Sequence, residues 1–236
     1  MQEDRITREE EAAFYAKLSD KAIDSLKKRG IDAEYAATRE DALSKVMAMI
    51  PEGVTVGTAD SMTLQEVGVI AAIQKRGGNP LINPFKRDEA GNRIYSEEQR
   101  DQLKRQVFSC DVYVIGSNAV TLDGKLVNTD AGGNRVAAMI YGPRMVIIVM
   151  GANKIVRDAD AAIRRIRELA APQNALRIGL KHHSKEHLEL PCTKTGLCSD
   201  CNLPKRICRY TTIIEGVSAE HRGRITVILV GEKLGI

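Results

Sequence analysis

The sequence predicts an α/β fold, with a mainly parallel twisted sheet covered by helices on both faces. Short apolar runs of strand length alternate with longer amphipathic runs of helix length along most of the chain. The most apolar short run, residues 145–151, is apolar at nearly every position, which is typical of a parallel strand buried on both faces. Ser or Thr followed three residues later by an acidic residue or Gln precedes several amphipathic runs, and this pattern marks helix N-termini.

The opening stretch predicts two helices and two strands. A capping box at residues 7–10 begins the first helix, which ends at Gly30. Residues 31–37 are predicted to be extended, and Thr38 then caps a second helix. Residues 54–57 form a short apolar run that predicts a buried strand. We interpret the chain before this strand as structural.

The loop after residues 54–57 is the first candidate binding site. It leads into a helix that Thr63 and Glu66 are predicted to begin as a capping box. Free amides and the helix dipole converge at a helix N-terminus and attract anions. We therefore expect Gly57, Ser61 and Thr63 to line an anion site. For Thr63 and Glu66 a pure capping role is the preferred alternative.

A second candidate site follows a predicted core strand at residues 111–116. Asp123-Gly124 lies between two short apolar runs and predicts a hairpin with a type I′ turn. Gly132-Gly133 then precedes a short predicted helix, so the backbone can approach a ligand there, and Arg135 supplies a positive charge. Open α/β sheets bind ligands at the ends of strands. The alternative is a glycine-rich turn without a ligand.

The last third of the chain predicts further strands and one helix. The apolar strand at residues 145–151 leads to a helix at residues 159–170, which Pro172 is expected to end. Lys154 lies just after the strand and could reach the same cleft, although a lone lysine is usually solvated. Residues 210–215 and 225–230 are predicted strands, and we expect the second to return to the main sheet.

Four of the five cysteines lie in one segment, with the spacing C-x5-C-x2-C-x6-C. They are Cys192, Cys198, Cys201 and Cys208. A Cys-x-x-Cys pair can turn so that both thiolates face one centre. Nearby Lys and Arg side chains favour thiolate formation by offsetting its negative charge. We expect these four cysteines to bind a metal centre.

The spacing leaves the kind of centre open. An iron–sulfur cluster, of the [4Fe–4S] type, is preferred because a cluster is larger than one ion and accepts varied spacings. Structural zinc sites usually have two short Cys-x-x-Cys knuckles, and this segment has one, so zinc is the alternative. Disulfides or free buried thiols remain a third interpretation. The first residues show no apolar signal region, so we expect a cytoplasmic protein, in which disulfides are rare.

Other potential ligands are interpreted as structural or solvated. His182, His183 and His187 precede the cysteine segment, but four cysteines already complete a site, so we expect a solvated surface patch. Cys110 lies outside the segment and is expected to be a small buried apolar side chain.

The composition is that of an ordinary globular protein and gives no positive sign of a membrane or nucleic-acid partner. The hydrophobic fraction of 43% and the charged fraction of 28% are ordinary for a globular protein. No apolar run approaches the roughly 20 residues needed to cross a bilayer. Aromatic residues make up 4% and Trp is absent, so stacking platforms for single-stranded nucleic acid are not indicated. We expect neither a membrane nor a nucleic acid as partner.

Three stretches resemble the lactate-utilisation (LUD-domain) family. They are GTADSMTLQEVGV at residues 57–69, GSNAVTLDGKLVNTDAGGNRVAAMIYGP at residues 116–143, and NLPKRICR at residues 202–209. The resemblance implies a fold similar to that of sugar isomerases and CoA transferases (NagB/RpiA), and a link to oxidation of lactate or a similar small hydroxy acid. The implied pocket contains Gly57, Ser61, Thr63, Glu66, Asn118, Thr121, Asn128, Gly132, Gly133, Asn134 and Arg135. The simplest members lack the cysteine cluster, so this chain resembles a cysteine-bearing branch.

These observations lead to two main functional hypotheses. The first is a redox protein in which the cluster lies beside the cleft, with Glu66, Asp123 or Asp130 as proton acceptor and Glu66 and Asp130 as the preferred catalytic candidates. The second is a zinc-stabilised isomerase or CoA-transferase-like enzyme. A non-catalytic partner of an oxidase complex is a third reading. Other iron–sulfur proteins are therefore expected partners, and a homodimer is left open.

We expect one α/β domain over residues 1–236. It would carry an N-terminal helical extension over residues 1–37 and a cysteine-rich metal loop at residues 190–210.

Overall fold

The computed structural model describes residues 6–89 and 91–236, so the start of the expected N-terminal extension, residues 1–5, lies outside the described residues. The strands are β1 (Asp32–Ala36), β2 (Val56–Thr58), β3 (Leu81–Ile82), β4 (Val112–Ile115), β5 (Ala119–Thr121), β6 (Leu126–Asp130), β7 (Met145–Gly151), β8 (Ile155–Val156), β9 (Tyr210–Ile214) and β10 (Ile225–Val230). The α-helices are α1 (Arg8–Lys28), α2 (Arg39–Met49), α3 (Met62–Val67), α4 (Val69–Arg76), α5 (Glu97–Gln106), α6 (Asn134–Ile140), α7 (Ala159–Arg165), α8 (Ala171–Lys181), α9 (Lys185–Leu188) and α10 (Pro191–Thr195).

The main sheet is parallel throughout, in the order β1-β10-β7-β4-β2-β3. This confirms the predicted α/β fold with a mainly parallel sheet. β10 lies between β1 and β7, so the late strand returns to the main sheet as expected. β1 is part of this sheet, although it falls within the stretch that was expected to form an extension.

Alternate side chains of the central strands pack into two separate cores. In β4, Tyr113 and Ile115 face α1 and α6, whereas Val112 and Val114 face the layer of α2, α3 and α4. This alternation follows from the two-residue period of a strand. It explains why β4 and β7 are apolar at nearly every position, because each face of the sheet is covered by helices.

A second, smaller sheet has the order β8-β5-β6-β9. β5 and β6 are antiparallel, which confirms the predicted hairpin, but the predicted type I′ turn is wrong. Type I′ needs positive φ at both central residues, and Gly124 has φ of 85° whereas Asp123 does not have positive φ. The Thr121 hydroxyl accepts a hydrogen bond from the Lys125 backbone N–H at 2.9 Å and shapes a longer loop.

Helix N-termini are the best predicted boundaries. Thr7 and Thr38 each cap a helix through their side-chain oxygen, as predicted. The predicted capping box at Thr63 and Glu66 is wrong, because the N-cap of α3 is Ser61 and Thr63 lies inside the helix.

The predicted helix end at Pro172 is also wrong. A π-helical turn, Ile166–Ala170, joins α7 to α8, and Pro172 lies in the first turn of α8. Pro172 is accommodated at this junction, where the π-helical turn interrupts the regular i→i−4 pattern of backbone hydrogen bonds. The chain therefore continues as a helical layer to Lys181. Among the described residues, no helix combines the length and the apolar character that a membrane span requires.

Candidate functional site

A cleft opens at the carboxyl ends of β2, β4 and β7. β2 connects toward the edge strand β3, whereas β4 connects toward β7, so the chain diverges between these neighbouring strands. Open parallel sheets bind ligands at such a switch point. The cleft has a volume of about 490 Å³, within the usual range for small-molecule sites.

The loop between β2 and α3 forms the first wall of the cleft. The Ser61 Oγ accepts a hydrogen bond from the Leu64 backbone N–H at 3.3 Å. Asp60 pairs with Arg177 of α8, with 2.5 Å between Oδ2 and Nη2, and this ion pair ties two walls together. A Cβ at Gly116 would lie 2.8 Å from the Ser61 Oγ, so the glycine lets the end of β4 approach this loop.

The second wall holds Arg135 through uncharged oxygens. Its Nη1 donates to Asn128 Oδ1 at 2.9 Å and to the Gly116 carbonyl at 3.3 Å. Its Nη2 donates to Asn118 Oδ1 and to the Thr129 carbonyl, both at 2.8 Å. These acceptors orient the guanidinium without neutralising it. Arg135 therefore supplies a fixed positive charge to the cleft.

Asn128 supports this wall from behind. It is 1% exposed, and its Oδ1 also accepts the Asn118 backbone N–H at 3.0 Å. Its Nδ2 donates to the Ser117 Oγ at 3.0 Å. In return, Asn118 Oδ1 accepts the Thr129 backbone N–H at 2.9 Å. The two asparagines lock the loop after β4 to the hairpin strand β6.

Lys154 lines the cleft from the 3₁₀ turn after β7. The residue is 4% exposed, and its Nζ donates to the Thr63 Oγ1 at 2.9 Å. Burial lowers the pKa of Lys154 to about 7, and the charges of Arg165 and Arg135 act in the same direction. The charge of Glu66 opposes them. Lys154 can therefore exist as a neutral amine near neutral pH.

The cysteine segment borders the same cleft. Residues 204–209 contribute to its lining, Cys208 among them. Arg206 donates to the Cys201 carbonyl at 2.5 Å and to the Cys208 carbonyl at 3.1 Å, and it forms an ion pair with Asp200. This arginine therefore holds the segment in a folded loop.

The four cysteines of this loop are free thiols in one neighbourhood. Burial raises the pKa of Cys192, and the charges of Cys201, Cys208 and Cys198 raise it further. Such mutual repulsion between thiolates is relieved when a cation binds among them. The chemical type of the donors, four cysteine sulfurs with cationic neighbours, thus suits a metal centre bound by thiolates. In the described parts of the chain, no three His, Cys, Asp or Glu side chains are arranged to hold a single metal ion.

Cationic side chains dominate the lining of the cleft. They are Arg100, Lys104, Arg135, Arg177, Lys205, Arg206 and Arg209, and the amine of Lys154 lies among them. The acidic side chains of the described lining are Asp60 and Asp130. The excess of positive charge favours an anionic ligand.

The structure brings about half of the predicted site residues into the cleft. Those in the lining are Ser61, Thr63, Asn118, Asp130, Gly132, Asn134, Arg135 and Cys208. Asp130 has both carboxylate oxygens engaged, because Oδ1 accepts the Ala131 N–H at 2.9 Å and Oδ2 accepts the Arg135 N–H at 3.0 Å. Asp130 therefore orients the start of α6 as well as facing the cleft.

The other predicted residues lie outside the described lining. They are Gly57, Glu66, Thr121, Asn128, Gly133, Cys192, Cys198 and Cys201. Gly57 packs into the core, where an added Cβ would lie 2.7 Å from the Cys110 Sγ. Glu66 is exposed and accepts the Gly235 N–H at 2.8 Å. Thr121 bonds within the hairpin loop, and Gly133 packs against the ring of Tyr210.

Sequence reasoning missed several residues of the cleft. Asp60 and Ser117 lie within the two stretches that carry the family resemblance, but neither was singled out there. Arg177 carries no recognisable local motif and reaches the site through its ion pair with Asp60. The expected histidine patch is corrected: His187 lines the cleft, and its Nδ1 lies 2.7 Å from the Ser184 Oγ. The position of Lys154 at the carboxyl end of a central strand was the available signal for its role.

Comparisons with known proteins agree with this architecture. The family model described as the LUD domain matches residues 19–230. The crystal structure of a DUF162 family protein from Deinococcus radiodurans is similar over 92% of this chain and 98% of that chain, with a TM-score of 0.51 and 12% identity, which shows the fold. That of eIF2B delta from Chaetomium thermophilum matches at a TM-score of only 0.31 and 14% identity, over 64% of this chain and 55% of that one. No curated protein matches the sequence significantly. The family match spans most of the chain, and the protein belongs to the LUD-domain family.

Proposed function

We propose that this protein binds lactate or a similar small hydroxy acid in the cationic cleft, and that an iron–sulfur cluster in the cysteine loop makes its metabolism redox-linked. The observation that carries the proposal is the position of Cys208, which lines the same cleft as Arg135 and Lys154. The family adds support, because its name refers to lactate utilisation.

The cleft is suited to a carboxylate. Arg135 is held rigidly by neutral oxygens, so its charge is available to a ligand and needs no reorganisation when the ligand binds. The side-chain amide of Asn118 lies at the same strand end and supplies a polar group for a hydroxyl substituent. The positive potential of the lining also speeds the approach of an anion.

The four cysteines would hold the proposed cluster. An iron–sulfur cluster supplies one-electron transfer, and an iron with an exchangeable ligand also acts as a Lewis acid. Arg206 stabilises the loop through the Cys201 and Cys208 carbonyls, and its guanidinium offsets thiolate charge. Asp130 is the proposed proton acceptor within the cleft, whereas Glu66 is proposed to position the segment at Gly235.

Calorimetric titration tests the binding part of the proposal. L- and D-lactate should bind the anaerobically purified protein, whereas lactamide, which lacks the carboxylate charge, should bind much more weakly. Arg135→Gln should weaken lactate binding by about tenfold or more, because it removes a fixed charge in a partly dehydrated site. Arg157→Gln is the matched control, since Arg157 is exposed and outside the cleft lining. Equal binding of lactate and lactamide would contradict a carboxylate site.

A second candidate function is a zinc-stabilised isomerase or CoA-transferase-like enzyme. The volume of about 490 Å³ favours it, because a small hydroxy acid fills only part of such a cleft. Lys154 would then supply proton transfer without a redox centre. Stoichiometric zinc in a colourless protein, together with binding of sugar phosphates or CoA thioesters, would favour this function over the first.

A further inference from the structure

We propose that Lys154 is a nucleophilic amine that condenses with the carbonyl group of a 2-oxo acid bound in the cleft. The inference rests on the proposed function in one respect, namely that the cleft accepts small organic acids. A 2-oxo acid is the oxidised counterpart of a 2-hydroxy acid, so both have the same carboxylate and differ at the neighbouring carbon.

The position of Lys154 is that of a reactive group. It follows β7, a central strand, and its side chain lines the cleft while remaining 4% exposed. The hydrogen bond to the Thr63 Oγ1 fixes the Nζ at 2.9 Å from a neutral oxygen. A hydroxyl partner, unlike a carboxylate, does not stabilise the ammonium form strongly. The nitrogen lone pair is therefore available for bond formation.

The charged neighbours of Lys154 mostly favour the neutral amine. Arg165 and Arg135 repel a proton on the Nζ, and the single opposing charge that acts on it in the described structure is that of Glu66. Glu66 is exposed and its carboxylate is engaged by the Gly235 N–H. Desolvated lysines beside other cations are the usual form of amine nucleophile in proteins. The pKa of Lys154, lowered to about 7, is consistent with this role.

The segment at Gly235 closes over the amine. A Cβ at Gly235 would lie 2.5 Å from the Thr63 Oγ1 and 2.9 Å from the Lys154 Nζ, so this close packing requires a glycine. Asn153 accepts the Leu234 N–H at 3.2 Å and, with Glu66, fastens the segment in place. Water is thereby kept from one side of the amine, which favours an imine over its hydrolysis.

The proposed step is balanced without an oxidant. The lone pair of the Lys154 Nζ attacks the carbonyl carbon and forms a C–N bond. The carbonyl oxygen then leaves as water, taking both hydrogens of the amine, and a C=N bond remains. The electrostatic attraction of Arg135 for the carboxylate would hold the 2-oxo acid beside the Nζ during this step.

Reductive trapping tests the inference on the whole wild-type protein. Pyruvate and sodium cyanoborohydride are added at pH 7, and the modified lysine is located by peptide mass spectrometry. We expect the carboxyethyl adduct on Lys154 at least about tenfold above any exposed lysine. The reason is that roughly half of a lysine with a pKa near 7 is neutral at that pH, against about one in three thousand for an ordinary lysine with a pKa of 10.5.

Two variants and one binding measurement make the test decisive. Lys154→Met should abolish the adduct, whereas Lys75→Met, on the exposed side of α4, should retain it. If Lys154→Met fails to fold, the site of trapping in the wild type decides alone. Pyruvate binding measured calorimetrically without trapping at Lys154 would overturn the imine and leave the acid-binding cleft intact. Absence of both lactate and pyruvate binding would overturn the cleft proposal as well.

Discussion

The Nη2 of Arg135 lies 2.8 Å from the Oδ1 of Asn118, which joins the start of helix α6 to the loop after strand β4. The acceptor is an uncharged amide oxygen, so the hydrogen bond positions the guanidinium charge of Arg135 without neutralising it. Asn118 in turn is held by the buried Asn128. The cleft thus depends on a chain of polar contacts that leads from the hairpin to the guanidinium.

Asn128→Ala should destabilise the protein and weaken acid binding together. The substitution leaves the Asn118 N–H without its acceptor and removes the shorter of the two hydrogen bonds of the Arg135 Nη1. It also removes the amide that donates to the Ser117 Oγ. An unsatisfied buried donor costs roughly 1–3 kcal/mol, so we expect a loss of about 2–3 kcal/mol in the free energy of unfolding. Urea denaturation measures it, with Gln74→Ala on the exposed face of α4 as the control. A loss below about 0.5 kcal/mol would show that the network does not hold the site.

Lys154 should make stability depend on pH. The folded pKa of about 7 lies below the ordinary value of 10.5, so the unfolded chain binds more protons between these pH values. The free energy of unfolding therefore contains a cost that is complete below about pH 7 and disappears as the pH rises to 10.5. The cost is on the order of 1.4 kcal/mol for each unit of pKa shift.

Lys154→Met should remove this dependence. The variant should exceed the wild type in stability most clearly near pH 6, and the difference should shrink steadily toward pH 10.5. Denaturation curves across this range measure the difference, and Lys75→Met should give a difference independent of pH. A constant difference for Lys154→Met would mean that the amine is charged in the folded protein throughout.

Alanine substitutions at two glycines should distinguish the cost of backbone strain from the cost of a steric clash. Gly53 and Gly124 have φ of 81° and 85°, but nothing lies within 4 Å of a Cβ at Gly53, whereas one at Gly124 would lie 2.5 Å from the Ser25 backbone. Gly53→Ala should cost about 1 kcal/mol from strain alone. Gly124→Ala should cost roughly 3 kcal/mol or more, because the hairpin loop must move away from α1. Equal costs in thermal unfolding would show that this contact is not formed.

Substitutions of the loop cysteines should release the proposed metal centre. Cys198→Ser or Cys201→Ser should lower metal content and lower the melting temperature through loss of the loop. Cys110→Ala is the matched control, because burial raises the pKa of Cys110 to about 11, against the opposing effect of the Gly57 backbone, and makes it an unreactive core thiol. Metal content that survives Cys198→Ser and Cys201→Ser would contradict ligation by this loop.

The fold was predictable where local patterns decide it. The apolar run of β7 predicts a strand that is buried on both faces of a parallel sheet. Thr7 and Thr38 predict helix starts because their side chains accept backbone N–H groups that have no partner within the helix. The π-helical turn before Pro172 was not predictable, because a longer hydrogen-bond spacing has no clear sequence signature. Ser61 and Thr63 lie two residues apart, and either could cap the helix. In the structure Ser61 is the N-cap, and the Thr63 hydroxyl instead accepts a hydrogen bond from Lys154, which is distant in sequence.

The site was predictable in part for the same reason. Asn118, Gly132 and Arg135 follow strand ends, where parallel sheets gather their ligand-binding residues. Arg177 and the burial of Lys154 depend on helices that return from distant parts of the sequence. Local sequence patterns do not reveal contacts between residues that are far apart in the chain. For this reason the sequence alone predicts a solvated Lys154.

Analysis of iron and acid-labile sulfide in anaerobically purified protein tests the central claim most directly. The account predicts about four iron and four sulfide per chain, with broad visible absorption that changes when lactate is added. It also predicts that Cys201→Ser lowers both contents. A colourless protein with neither iron nor sulfide, or with one zinc per chain, would contradict the redox function and leave the cleft around Lys154 as the place for its chemistry.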